Sequence, residues 1–288
     1  MGCNRKGHPL LDVEQIDQTA DAYLHAIGCV FAVFDERTQD SGNVSYGVRI
    51  DGERYFVKTA GDPEDLRPLL PHPARVSLLR NAVRVWRGCG HSALPRLYRM
   101  IKSPSGPLLI YQWVEGERLG AHHALRDDPR SSFQRFRRLP VPEITRALDV
   151  VYELHEELAR SGWIAVDFYD GCMIYDFGRR ELHLVDLDNY RDAPSTNDMG
   201  RMFGSSRFMA PEEFERGAPI DERTTVFTMG RTAAVLLSDG TLERRSFRGS
   251  DALYEVMRRA CRSDREERFE SVADFHNAWR EVRLADAR

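Results

Sequence analysis

No apolar run in this chain approaches the roughly 18 residues that a helix needs to cross a bilayer, so no membrane partner is expected. Basic residues are not in excess: 41 Lys and Arg stand against 45 Asp and Glu, for a net charge of -4. A general nucleic-acid binder carries a cationic face, so that class is not expected either. Cysteine is sparse and scattered. Cys3, Cys29, Cys89, Cys172 and Cys261 are odd in number and form no CxxC pair. That pattern argues against a zinc site and fits a reducing, cytoplasmic setting. No signal peptide is read at the start. The opening Met1-Gly2-Cys3 is similar to an acylation signal, but Lys6 stands where Ser or Thr is wanted, so an ordinary start is expected. Internal repeats and low-complexity segments are also missing.

What is present suits one large domain or two lobes with an ample core: 288 residues, 42% hydrophobic and 30% charged. The spacing of Val13, Ile16, Ala20, Tyr23 and Leu24 predicts a helix over 13–27. The runs 29–34, 48–50 and 55–58 read as a three-stranded antiparallel meander with a tight turn at Asp51-Gly52. A helix follows over 71–87, then strands over 91–101 and 108–114, and Glu115-Gly116-Glu117 breaks the pattern. Residues 121–140 are charged and expected to be exposed. From Pro142, the residues Ile144, Ala147, Leu148, Val151, Leu154, His155 and Leu158 form one face of a strong helix. Helical segments are also expected at 224–237 and 252–284.

The most informative stretch is Trp163 to Tyr190. It sets five aspartates, Asp167, Asp170, Asp176, Asp186 and Asp188, among apolar β-branched runs that read as buried strands. Two like charges about 4 Å apart repel by roughly 1 kcal/mol in water and about 4 kcal/mol at the effective dielectric near a protein surface. A cation with an anionic substrate would relieve such a cluster. The bland reading, turn aspartates at hairpin ends, is preferred for Asp176.

The segments GSSRFMAPEE (204–213) and CRSDREERFESVADFHNAW (261–279), in this order after the acidic stretch, resemble the protein kinase fold. The resemblance spans roughly residues 29–282 and implies an α+β, bilobal chain. Its parts would be an N-terminal extension at 1–28, a nucleotide-binding lobe with a small antiparallel sheet at 29–115, and a mainly helical lobe at 116–288. It also implies ATP with Mg²⁺ or Mn²⁺ as cofactors, and transfer of phosphate to a Ser/Thr hydroxyl of a protein substrate.

Residue by residue, the resemblance makes Lys58 the lysine that meets the ATP phosphates. Gly42 and Gly47 become the glycines of the phosphate loop. Tyr111 is the gatekeeper, with the backbones of Gln112 and Val114 holding adenine. Asp167 is the proton acceptor, Asp186 the magnesium ligand, and Glu212 the partner of Arg268 in a buried ion pair. The literal Asp176-Phe177-Gly178 triplet is read as a hairpin turn.

The chain departs from the family at Ala82, where a glutamate usually holds the lysine, so Asp186, Glu64 or ATP itself would hold Lys58. Ala165 and Val166 replace the catalytic-loop histidine and arginine, Tyr169 replaces a lysine, and Thr225 replaces an anchoring aspartate. Cys172 stands where an asparagine normally gives the second metal ligand; as a thiol it is a poor magnesium donor, and Asp188 or Asp170 would supply the oxygen. Two alternatives stay open: a nucleotide-binding pseudokinase serving as a binding module, and a small-molecule phosphotransferase of aminoglycoside or choline type, suggested by Asp186-Leu187-Asp188.

Overall fold

The computed structural model describes residues 7–35, 41–65, 67–120 and 126–286. The Met1-Gly2-Cys3 opening, part of the loop after Phe34, and residues 121–125 lie outside the described residues. The chain is α+β: a five-stranded antiparallel sheet in one part and mostly helix in another. It divides into two compact units, one of residues Met1–Trp86 with Pro95–Val114, the other of Arg87–Leu94 with Glu115–Arg288. The switch at Val114 lies one residue from the expected boundary. Residues 87–94 belong with the second unit because hydrogen bonds tie them there: Gly90 N–H donates to Glu157, and Leu184 N–H donates to the Ala93 carbonyl.

In the first unit, α1 (Ala20–Ile27) precedes β1 (Cys29–Phe34), β2 (Val44–Ile50), β3 (Glu53–Thr59), α2 (His72–Arg87), β4 (Leu97–Ile101) and β5 (Leu108–Gln112). The sheet order is β1-β2-β3-β5-β4. The β2–β3 turn needs left-handed backbone at both central residues, and Asp51 and Gly52 supply it at φ 50° and 89°. Helix α1 is shorter than the periodicity predicts. Thr19 caps it, accepting from Ala22 N–H, and the residues before it extend beside Lys102: Ile16 N–H donates to the Lys102 carbonyl, and Lys102 N–H to that of Glu14. Their apolar side chains are buried all the same, with Leu10, Ile16, Tyr23 and Leu24 packed against Val48, Val57 and Ile110. The expected 91–101 strand begins only at Leu97, since His91 opens a turn closed by Leu94 N–H.

The second unit runs through β6 (Glu117–Arg118), α3 (Ser132–Arg137), α4 (Val141–Arg160), β7 (Trp163–Ile164), β8 (Met173–Asp176), β9 (Glu181–Leu184), β10 (Arg191–Asp192), β11 (Ser195–Thr196) and β12 (Pro219–Ile220). It closes with α5 (Glu222–Leu237), α6 (Asp251–Ala260) and α7 (Val272–Asp286). The segment expected to be exposed is partly core: α3 buries Phe133 and Phe136. Its charges misled because the two phenylalanines, three residues apart, share one face of the short helix. Helix α4 buries every residue of its anticipated apolar face, and Tyr152 of α4 packs edge-on against Phe275 and Trp279 of α7. His155 is buried too, where a polar ring needs partners. It has two: Val151 O at 2.7 Å from Nδ1 and the Tyr190 hydroxyl at 2.6 Å from Nε2. Burial pushes the His155 imidazole down to about 4, so the ring is neutral, donating from Nδ1 to the carbonyl and accepting from Tyr190.

Candidate active site

The acidic stretch becomes a set of short strands and turns. After β7, Ala165 N–H donates to Thr225 Oγ1 at 3.0 Å, so the hydroxyl on α5 anchors this backbone. The backbone is left-handed at Asp167, φ 63°, and at Asp186, φ 64°, nineteen residues apart; Asp51 and Arg180 share that conformation in hairpin turns. Left-handed backbone is uncommon outside glycine, and aspartate is among the residues that tolerate it. A single thiol draws the two together. Cys172, in the turn Asp170–Cys172, has its Sγ 3.5 Å from the Asp167 carbonyl oxygen and 4.0 Å from that of Asp186.

That contact gives Cys172, expected to be a poor magnesium donor at a ligand position, a packing partner in the backbone. Burial pushes the thiol well up, reinforced by the charges of Asp186 and Asp167. Its single S–H is a weak donor, nearer the Asp167 carbonyl than that of Asp186, and a metal ligand would have to be a thiolate. Asp170 is not a spare metal oxygen either. It is almost wholly buried and pairs at 2.5 Å with Arg207, whose guanidinium also lies over the rings of Phe133 and Phe208. Asp176 is the turn residue it was read to be: Oδ1 accepts from Gly178 N–H at 2.8 Å and Arg179 N–H at 3.0 Å. Of the remaining acids, Asp186 is exposed and Asp188 buried.

Among the described residues no group of three or more His, Cys, Asp or Glu side chains is gathered as for a metal ion. Magnesium does not require one. It usually keeps several waters and takes one or two carboxylates plus substrate phosphates. Asp186 and Asp188 would be hard oxygen donors of that kind, and the Cys172 thiol would not.

The platform beside Asp167 comes from the Gly204–Glu213 segment. A Cβ on Gly204, φ 129°, would stand 3.4 Å from Asp167 Cα and 3.5 Å from its Oδ1. Glu213 holds the segment from within. Its carbonyl accepts from Met202 N–H at 2.9 Å and its Oε2 from Ala210 N–H at 2.6 Å. Glu213 is buried, and burial, then the Glu212 and Asp167 charges, push its carboxyl up to about 8.

The sign of the resulting pH dependence follows. Between about 4.5 and about 8 the folded chain keeps a proton that the unfolded chain has lost, so stability falls as pH rises through that window and levels off above it. His155 acts oppositely, adding stability as pH rises from about 4 to 6.5, which leaves the range from 6.5 to 8 to Glu213. Glu213→Gln, keeping the acceptor for Ala210 without the titration, is expected to match wild type near pH 5. Near pH 8 it should be more stable by a few kcal/mol. Urea unfolding at the two pH values checks this; an equal difference at both would contradict it.

The first unit carries the residues expected to meet nucleotide. Lys58 lies in β3, opposite Ser45 and Leu109 in register, and is buried. Leu109 packs with Leu79, Ala82 and Val83 of α2, so Lys58 shares the sheet face that α2 covers. Helix α2 has no acidic residue, and Ala82 is core. Gly42, φ 81°, offers its carbonyl to Arg75, a buried arginine of α2 that also donates to the carbonyls of Ala60 and Asp62. Gly47 is not a loop glycine. It sits inside β2, opposite Ala32 and Phe56, where a Cβ would come within 2.7 Å of the Phe31 ring and 2.9 Å of the Trp113 ring. Its role is to admit that aromatic pair, whose centroids are 4.9 Å apart. Gln112 N–H is already committed, donating to the Arg96 carbonyl at 2.8 Å, while Val114 is half-buried where the unit ends.

No protein-family model matches this chain, and none of the curated proteins does. The geometry therefore carries the functional argument alone. Three of its participants were invisible in the residue spacing. Arg207 and Glu213 had no role assigned from spacing, and the structure gives them partners in Asp170 and Ala210. Asn189 hid behind Asp188: its side-chain Nδ2 donates to Asp167 Oδ2 at 2.9 Å. An amide directly after the Asp-Leu-Asp run was the available signal.

Proposed function

We propose that the chain is a divergent protein-kinase-like phosphotransferase, using ATP and a divalent magnesium or manganese ion to phosphorylate a Ser/Thr hydroxyl of a protein in the cytoplasm. One observation carries this reading above the others: Asp167 and Asp186, far apart in sequence, both adopt left-handed backbone and converge on the Cys172 thiol. Strained backbone of this kind persists where the surroundings over-determine it, and it collects at functional sites. In this reading Asp167 accepts or orients the acceptor hydroxyl's proton. Asp186 and Asp188 hold the metal, which when bound neutralises charge on the transferring phosphate. Lys58 binds the nucleotide phosphates as a point charge.

Support for a protein acceptor comes from the Gly204–Glu213 platform next to Asp167, clamped by Glu213 and by the Glu212–Arg268 ion pair. The Asp186-Leu187-Asp188 spelling alone speaks for a small-molecule acceptor. A binding module without catalysis is favoured by a different observation. The Phe31 and Trp113 rings cover Gly47, and α2 offers Lys58 no acid, so the usual means of gripping ATP phosphates are reduced.

Thermal unfolding with and without Mg-ATP tests the nucleotide half of the proposal. A ligand present at about 100 times its Kd stabilises the fold by roughly 2.7 kcal/mol, and the wild-type melting temperature should rise accordingly. Lys58→Met is expected to lose most of that rise. No rise in the wild-type chain, or an undiminished one in the variant, would contradict the assignment of Lys58.

A further inference from the structure

We infer that Asn189 is a positioning residue for Asp167, holding its carboxylate toward the acceptor by a side-chain hydrogen bond. The inference rests on the reading of Asp167 as the proton acceptor and adds to it the group that orients it.

The contact is 2.9 Å, from Asn189 Nδ2 to Asp167 Oδ2. A carboxylate only accepts, so the amide nitrogen must face it, which settles the orientation of the Asn189 side chain. Hydrogen bonds to an ionised acceptor are roughly twice as strong as neutral ones, so this amide bears on the carboxylate more than an ordinary polar neighbour would. Asn189 is itself held in place. The next residue, Tyr190, is buried and bonds His155 at 2.6 Å, and His155 bonds back to Val151 of its own helix. A rigid column thus runs from the middle of α4 to the Asp167 carboxylate. Cys172 fixes the Asp167 backbone from its carbonyl, while Asn189 fixes the carboxylate.

The test compares Asn189→Ala, Asn189→Asp and Asn189→Ser with wild type, each alone and in the Asp167→Ala background, by steady-state transfer of labelled phosphate from ATP. Removing one hydrogen bond to a charged group is expected to lower kcat about 10- to 100-fold. The KM for ATP should stay within about twofold, because the lost contact is not to nucleotide. Asn189→Asp is nearly isosteric yet sets two carboxylates face to face, so it should be at least as impaired as Asn189→Ala. Asn189→Ser, which keeps a small donor, should recover part of the loss. In the Asp167→Ala background the Asn189 variants should cost nothing further.

A merely space-filling asparagine gives the opposite order, with Asp better than Ala. That order, or a loss that persists without Asp167, overturns the inference. Melting temperatures of the variants identify any loss that comes from unfolding, and Asn189→Ser then decides. If Asp167→Ala transfers phosphate as well as wild type, the reading of Asp167 falls, and the Asn189 inference falls with it by a separate result.

Discussion

Replacing Arg268 by alanine is expected to lower the unfolding free energy by about 3–5 kcal/mol, the range for breaking a buried ion pair from one side. The side chain is fully buried, and all of its donor positions are spent. Nη1 donates to Glu212 Oε1 at 2.7 Å and to the Arg223 carbonyl at 3.0 Å; Nη2 to Glu212 Oε2 at 3.0 Å and to the Ser263 carbonyl at 3.2 Å; Nε to the Arg262 carbonyl at 2.7 Å. The guanidinium also lies over the Phe227 ring, 4.8 Å from its centroid.

Glu212 shows what the pair must offset. Burial works to raise its carboxyl, but the hydrogen bonds and charge of Arg268, helped by Thr224, hold it below the usual carboxylate range. Alanine at 268 leaves that carboxylate buried without its cation, and takes a donor from three backbone carbonyls. The double replacement Arg268→Met with Glu212→Leu removes both charges and should cost clearly less than the single change. Urea unfolding of the three proteins measures this. A single-variant loss under about 1 kcal/mol, within the range of an exposed pair, would contradict the burial argument.

Much of this is legible in the residues themselves. The Glu212–Arg268 pair was readable because two segments of one family pattern occur in order, far apart in the chain. The helix α4 face followed from strict periodicity, and Asp176 declared itself as a turn by its position between two short apolar runs. The misreadings share a physical cause, which is that sequence spacing does not report tertiary partners. Residues 13–19 have helical spacing but extend, because the backbone around Glu14 and Ile16 pairs with Lys102 and Thr19 starts the helix late. Gly47 has loop chemistry but lies in a strand, because two aromatic rings need the space above it. Asp170 reads as a candidate metal oxygen until Arg207 is seen to hold it, and the contacts of the Cys172 thiol with two carbonyls are not readable from spacing. Asn189 was missed for the same reason: its partner is 22 residues away.

The largest kinetic effect is expected at Asp167. A positioned general base contributes typically 10²- to 10⁴-fold, and Asp167→Ala should lose about that much in kcat. Its melting temperature should fall only modestly: alanine suits the left-handed backbone at 167 less well, but Asp167 is half-buried and its surroundings are anchored by Thr225 and Cys172. Phosphoryl transfer depends mainly on positioning and charge neutralisation, so what remains should be a slow, ATP-binding protein and not an unfolded one.

The direct measurement is transfer of label from γ-labelled ATP, with magnesium or manganese, to protein and to small hydroxyl acceptors, for wild type and Asp167→Ala side by side. The proposed function predicts labelled serine or threonine in the protein acceptors with wild type, and a loss of at least 100-fold in the variant. Equal, negligible transfer by both proteins, with ATP still raising their melting temperatures, would contradict it and leave a nucleotide-binding module in its place.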